Sequence, residues 1–200
     1  MRIAHMTDPR SLILEHALPL VPFDGWSDHT LAQAASRAKM GAAELRRAFP
    51  AGIADCIDYF FAQEDEALAE AFPQSTLAKV RVPDRIEMLI LAQLEGLIRH
   101  KEAVRSAVAH NALPWNAPRA IRSLYRSVDR MWQLAGDNAT DFNFYTKRAT
   151  LAALYSSTLL YWLNDTSQDM EATKAFLKRG LAGIAVFGKK KAELRKKFVA

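Results

Sequence analysis

The sequence predicts an all-α protein of about nine helices, and three observations carry that reading. Apolar residues recur at intervals of three and four along nearly the whole chain, the period of a helix that buries one face. No segment alternates β-branched with polar residues as a half-buried strand would. Proline, glycine and short polar residues fall between the periodic runs, where helices start and stop.

A first helix opens with Asp8 as its cap and Pro9 in its first turn, and carries Leu12, Ile13, His16, Ala17 and Leu20 on one face. Phe23-Asp24-Gly25 stops it. Ser27 or Asp28 caps a short helix over 28–38 with Leu31, Ala34 and Ala35 inward. Lys39-Met40-Gly41 then turns the chain into a second short helix, Ala42 to Phe49. Pro50 separates this from a longer helix with Ile53, Ile57, Phe60, Phe61, Leu68 and Phe72 on its inner side. After a loop from Pro73 to Val82, Pro83 opens a helix bearing Ile86, Ile90, Leu94 and Leu97 at helical spacing, and Glu102 to His110 is helical again. The proline-containing break from Leu113 to Ala117 leads into a helix started by Pro118. Its apolar face reads Ile121, Leu124, Val128, Met131 and Ala135, with Gly136 past its end. Thr140 or Asp141 caps the next helix, which is apolar almost all round from Ala149 to Leu163 and should be buried on most sides. The last helix runs from about Asp169 to Phe187, with Phe176, Leu177, Leu181 and Ile184 opposite Lys174, Lys178 and Arg179.

Composition narrows the class. Half of the 200 residues are hydrophobic, which excludes a disordered chain, and a single cysteine, Cys56, excludes an internal disulfide framework. Mean hydropathy is −0.11. The longest charge-free run, Ala149 to Asn164, is 16 residues and includes Ser156, Ser157 and Thr158, too short and too polar to span a bilayer. The net charge of +5 resides in the segment Gly188 to Phe198, where six basic residues face only Glu193; the remaining body is neutral. Residues 1–6 read as a possible tag or disordered start, and 188–200 as a basic tail that attaches at most weakly to anionic lipid.

The chemistry of common enzymes is absent: there is no G-x-G-x-x-G, Walker loop, G-x-S-x-G or H-E-x-x-H. No histidine has a carboxylate three residues before it, so the paired Glu-x-x-His arrangement of helical di-iron sites is missing. Cys56, among Ile53, Ile57 and Phe60, reads as a packed thiol rather than a nucleophile. The reading is a non-enzyme with no metal and no catalytic cofactor.

Two features rise above this background. The helix pair 28–38 and 42–49 has helix-turn-helix size, and the string ELRRAFPAGIADCIDYFF resembles the end of the DNA-binding module of TetR-type regulators. Its electrostatics oppose operator binding, since the would-be reading helix places Glu44 among Ala42, Ala43 and Ala48, whereas phosphate neutralisation demands several cations. The second feature is the run from Met131 to Tyr155. Gly136, Asp137 and Asn138 make a polar turn, and Phe142, Phe144 and Tyr145 then point in nearly every direction of one helical turn, so at least one aromatic must reach the surface.

The pattern W-x-x-A-G-D-x-x-T-D-F-N-x-Y-T-x-R, from Trp132 to Arg148, resembles the signature of the accessory lipid-binding family of ubiquinone (coenzyme Q) biosynthesis, the "Coq-nine" family. The likeness continues through PWNAP, ATLAALY and DMEATKAFLKR. It implies a TetR-like fold without operator binding, a homodimer, a bound isoprenoid or phospholipid, and support of the pathway's di-iron hydroxylase, which acts on demethoxyubiquinone. By position, the resemblance places the hydroxylase-binding surface on Leu113, Pro114, Asp129, Met131, Phe144 and Tyr145. Phe144 stands where the commoner motif has tryptophan, keeping apolar area but losing an N–H donor.

The resulting expectation divides the chain into a helix-turn-helix-like module at 7–55 and a lipid-binding and dimerisation domain at 56–187. The lipid cavity should be lined by Ile86, Ile90, Leu94 and Leu97 together with Leu151, Leu154 and Leu159 of the all-round apolar helix. The expected location is the bacterial cytoplasm, including the inner face of its membrane, with no specific nucleic acid bound. The alternative is a TetR-type regulator that responds to a small ligand.

Overall fold

The computed structural model describes residues 8–73, 77, 79–137 and 142–199, with 142–143 and 187–199 as backbone only. Its helices are α1 (Pro9–Ala17), α2 (Asp28–Arg37), α3 (Ala42–Ala48), α4 (Ile53–Ala71), α5 (Val82–Leu97), α6 (Lys101–Asn111), α7 (Ala117–Leu134), α8 (Phe142–Leu163) and α9 (Glu171–Val199), with a short helical turn at Val21–Asp24 and 3-10 turns at Ile98–His100, Pro114–Asn116 and Gln168–Met170. No strand occurs among the described residues. The proposed caps at Thr140 or Asp141, the start at 1–6 and the basic side chains of 189–197 lie outside what is described.

The chain packs as two compact units that are discontinuous in sequence: residues 1–67 with 96–127, and residues 68–95 with 128–200. This replaces the expected division near residue 55. The reason is visible at Trp26, whose buried indole Nε1 donates to the Ala103 carbonyl at 2.9 Å and ties α6 to the N-terminal helices.

In the first unit the local signals act as chemistry requires. Asp8 accepts from the Arg10 backbone N–H at 3.0 Å and caps α1. The Ser27 hydroxyl accepts from the Thr30 N–H at 3.1 Å and caps α2. Lys39, at φ 59°, makes the left-handed turn into α3, which buries none of its own residues. Ile13, Leu14, Leu31, Phe49, Ile57 and Phe60 form the core, and burial pushes the Cys56 thiol up to about 12.

The first half of α7 overturns its apolar reading. Ile121 is 57% exposed, while Ser123 and Ser127 are buried. The Ser127 hydroxyl donates to Asp65 at 2.9 Å, and Arg126 approaches the same carboxylate at 3.3 Å. Nearer the start of α7, Arg119 bridges Asp55 and Asp58 at 2.5 and 3.1 Å. Polar pairing with α4, not hydrophobic spacing, sets the face that α7 buries here.

The second unit is built from α5, the end of α7, α8 and α9. Leu89, Ile90, Val128, Met131, Trp162 and Leu177 are fully or almost fully buried. Arg85 donates to the carbonyls of Val80 and Ala135, both at 2.6 Å, and so clamps the start of α5 to the end of α7. Gly136 follows with φ +83°, and a Cβ there would lie 3.1 Å from the Arg85 guanidinium. Gly136→Ala should therefore cost about 1–2 kcal/mol from the left-handed backbone alone, read as a lower urea midpoint with an unchanged slope. An unchanged midpoint would contradict this account. The sequence reading stops the last helix at Phe187, but α9 continues to Val199, because 189–197 holds only helix-forming residues and no proline.

Candidate functional site

In the second unit, a cavity of about 690 Å³ opens between the first turn of α5, the end of α7, α8 and α9. Val82, Pro83, Ile86, Trp132, Leu151, Leu154, Leu181 and Ile184 supply its apolar wall, and Thr146, Lys147 and Thr150 its few polar groups. That volume falls within the range of about 300–1,000 Å³ usual for small-molecule sites. Of the residues expected to line it, Ile86, Leu151 and Leu154 do so. Ile90, Leu94 and Leu97 do not: they are fully buried in packed core, and only the first turn of α5 reaches the cavity. Leu159 is half-buried and also lies outside the lining.

The sequence reading missed the contribution of α9. Gly180 and Gly183 both line the cavity. A side chain at Gly180 would collide with Leu154, so glycine there lets α9 approach α8 closely. A Cβ at Gly183 would meet nothing within 4 Å, so that position faces open space. Two glycines three residues apart inside a helix, each costing about 1 kcal/mol relative to alanine, were the available signal.

The motif from Trp132 to Arg148 is organised by Arg148, which is only 5% exposed. Its Nε and second guanidinium nitrogen contact Asp129 Oδ1 at 2.7 and 2.6 Å. Its remaining nitrogen stands 3.7 Å from Asp137 Oδ2, and the guanidinium lies 3.3 Å above the centre of the Phe144 ring. Lys147 takes the other Asp137 oxygen at 2.6 Å. One buried cation therefore joins the end of α7, the turn after it and the start of α8.

This arrangement sorts the residues expected at a partner surface. Tyr145 is 72% exposed and meets the half-buried Phe144 edge-on, ring centres 5.2 Å apart. Asp129, at the rim, is tied to Arg148, which brings it together with Phe144 and Tyr145. Met131 is corrected: it is fully buried, because the inward face of α7 at this point packs into the core of the second unit, and it offers no surface. Leu113 and Pro114 are exposed in the first unit beside Trp115, which is 74% exposed.

Among the described residues no group of three or more histidine, cysteine or acidic side chains is placed to hold a metal, and no helix is long and apolar enough to cross a membrane.

Residues 117–188 match the COQ9 family. The chain is 34% identical over 169 residues to the mitochondrial ubiquinone biosynthesis protein coq9 of Schizosaccharomyces pombe, covering 84% of this chain and 66% of that protein. It is 33% identical over 172 residues to the mitochondrial ubiquinone biosynthesis protein COQ9 of Homo sapiens, covering 82% and 54%. The Xenopus tropicalis protein of the same name is 31% identical over 183 residues, covering 88% and 57%. The chain thus spans between about half and two thirds of the length of these relatives. In structure it resembles a TetR transcriptional regulator from Nitrosomonas europaea, with a TM-score of 0.71 and 22% identity over 88% of this chain and 97% of that one. The fold is therefore TetR-like.

Proposed function

Because the chain belongs to the COQ9 family, we propose that it is a non-enzymatic accessory protein of ubiquinone biosynthesis, which holds an isoprenoid or phospholipid and presents the quinone intermediate to the di-iron demethoxyubiquinone hydroxylase. The observation that carries this reading is the apolar cavity of about 690 Å³, most of whose lining, from Trp132 to Ala185, lies within the segment that matches the family. The physical task is access. Each buried CH₂ is worth about 0.8 kcal/mol, so a polyprenyl tail stays in the bilayer unless a protein cavity of similar polarity receives it. Ile86, Leu151, Leu154 and Leu181 offer such surroundings.

The same reading includes a homodimer and weak attachment to the cytoplasmic face of a bacterial membrane. The exposed stripe of Ala149, Ala153 and Ser157 on α8, continued by the exposed Leu160, favours the dimer, since the small side chains let a second copy's helices approach closely and the leucine adds apolar area. The regulator alternative has the TetR-like fold in its favour, but α3 presents Glu44 beside Arg46 and Arg47, a weak electrostatic footprint for a DNA backbone.

The test uses the open position on α9. Purified protein should release isoprenoid or acyl lipid on organic extraction, and native mass spectrometry should show that mass on the dimer. Gly183→Phe, whose Cβ meets no neighbour, should occupy cavity space, keep the melting temperature, and carry at least tenfold less lipid by the same extraction, about 1.4 kcal/mol of lost affinity. Equal lipid on both proteins would place the ligand elsewhere, and none on the wild type would remove the lipid from the proposal.

A further inference from the structure

We propose that Trp132 is the specificity-determining residue of the cavity: its indole N–H hydrogen-bonds an oxygen on the ligand's head, selecting a long-chain lipid with a carbonyl-bearing head over a plain hydrocarbon. The inference rests on the reading of the cavity as a lipid site and adds the chemistry and direction of what enters it.

Trp132 lines the cavity, yet its indole N–H is shielded from solvent and donates to no acceptor among the described residues. A buried donor without an acceptor is costly, and buried tryptophan N–H groups ordinarily find one. The polar groups of the lining share one stretch of α8 rather than scatter. Thr146, Lys147 and Thr150 occupy the opening turns of α8, whereas Leu154, Leu181 and Ile184 line the rest. Lys147 holds its ammonium 5.6 Å from the centre of the Trp132 ring while bonded to Asp137. The Thr150 hydroxyl has already given its proton to the Thr146 carbonyl at 2.8 Å. The indole N–H and the ammonium donate and do not accept, and a carbonyl oxygen, which accepts and does not donate, is their complement. For such an oxygen to reach the shielded indole N–H, the Lys147 side chain, which lies over the ring, must shift.

The polar end also has a direction. Tyr145, 72% exposed, precedes Lys147 and Thr150 on α8 by about 3 and 8 Å along the helix axis. The ligand's head therefore sits at the end of the cavity nearer Tyr145 along α8, and its tail runs towards Leu154 and Gly183 on α8 and α9.

The test compares a benzoquinone carrying a decyl tail with squalene, an isoprenoid hydrocarbon without oxygen, each offered from neutral vesicles. Trp132→Phe keeps an aromatic ring and removes only the N–H and some area. It should weaken quinone binding about five- to tenfold, as loss of one buried hydrogen bond does, and leave squalene binding within about twofold. In the wild type, the indole ¹⁵N–¹H resonance absent from Trp132→Phe should move with the quinone and stay with squalene. That resonance decides the matter even if the variant folds poorly. Unchanged quinone binding with an unmoved resonance, or equal losses for both ligands, would overturn the assignment and leave the lipid cavity standing. A wild type that binds neither would overturn both.

Discussion

Asp129→Ala should lower the melting temperature by several degrees, the largest stability effect expected at any exposed or half-exposed position. The variant strips Arg148, 5% exposed, of its nearest anion and leaves Asp137 Oδ2, at 3.7 Å, as the remaining carboxylate near it among the described residues. Breaking a buried pair by removing one partner costs about 3–5 kcal/mol. For a chain of this size each 1 kcal/mol moves the midpoint by about 2–4 °C, so the drop at the lower figure is about 6–12 °C. Asp129→Asn, which keeps an acceptor oxygen, should lose less. The loosened guanidinium also supports the Phe144 ring 3.3 Å below it, so hydroxylase binding should weaken in parallel with stability. A variant that melts like the wild type but associates more slowly, with altered salt dependence, would instead make Asp129 a simple rim charge.

Tyr145→Ala should do the opposite: abolish most partner binding while barely changing stability. Its ring is 72% exposed, so little buried area is lost on truncation. Exposed aromatics that become buried against a partner dominate interface energies, at about 2 kcal/mol or more each, roughly thirtyfold in affinity. Phe144→Ala should weaken binding too, but with a measurable loss of stability, since that ring is half-buried and stacked on Arg148. Pull-down of the hydroxylase and thermal unfolding on the same preparations separate the two effects. Retained binding by Tyr145→Ala, with or without lost stability, would defeat the partner-surface reading.

Asp129 stands three positions before the motif and Tyr145 three before its end; the motif was legible in the sequence, but their roles were not. The pattern from Trp132 to Arg148 identified the region, and the crowding of Phe142, Phe144 and Tyr145 on one turn required an exposed aromatic; Tyr145 is one. That Arg148 would be buried and hold Asp129 could not be read from spacing, because both residue types are ordinarily solvated and become buried only when geometry pairs them. Met131 shows the same limit from the apolar side: it lies beside Trp132 in sequence, yet it packs inward with no exposed area.

What the sequence determined by itself was local. Apolar spacing of three and four, Asp8 and Ser27 as caps, and Gly136 at a left-handed turn are properties of a few neighbouring residues, and they were enough for a helical fold. What the tertiary structure decided was which face of each helix met which neighbour. Ser127 turned inward to Asp65 while Ile121 turned out, α6 joined the N-terminal helices through Trp26, and Gly183 left open space opposite Leu151 and Leu154. Helical periodicity says that a face is buried. The partner that buries it lies dozens of residues away, so pairing, charge burial and cavity shape arise only when distant segments pack together.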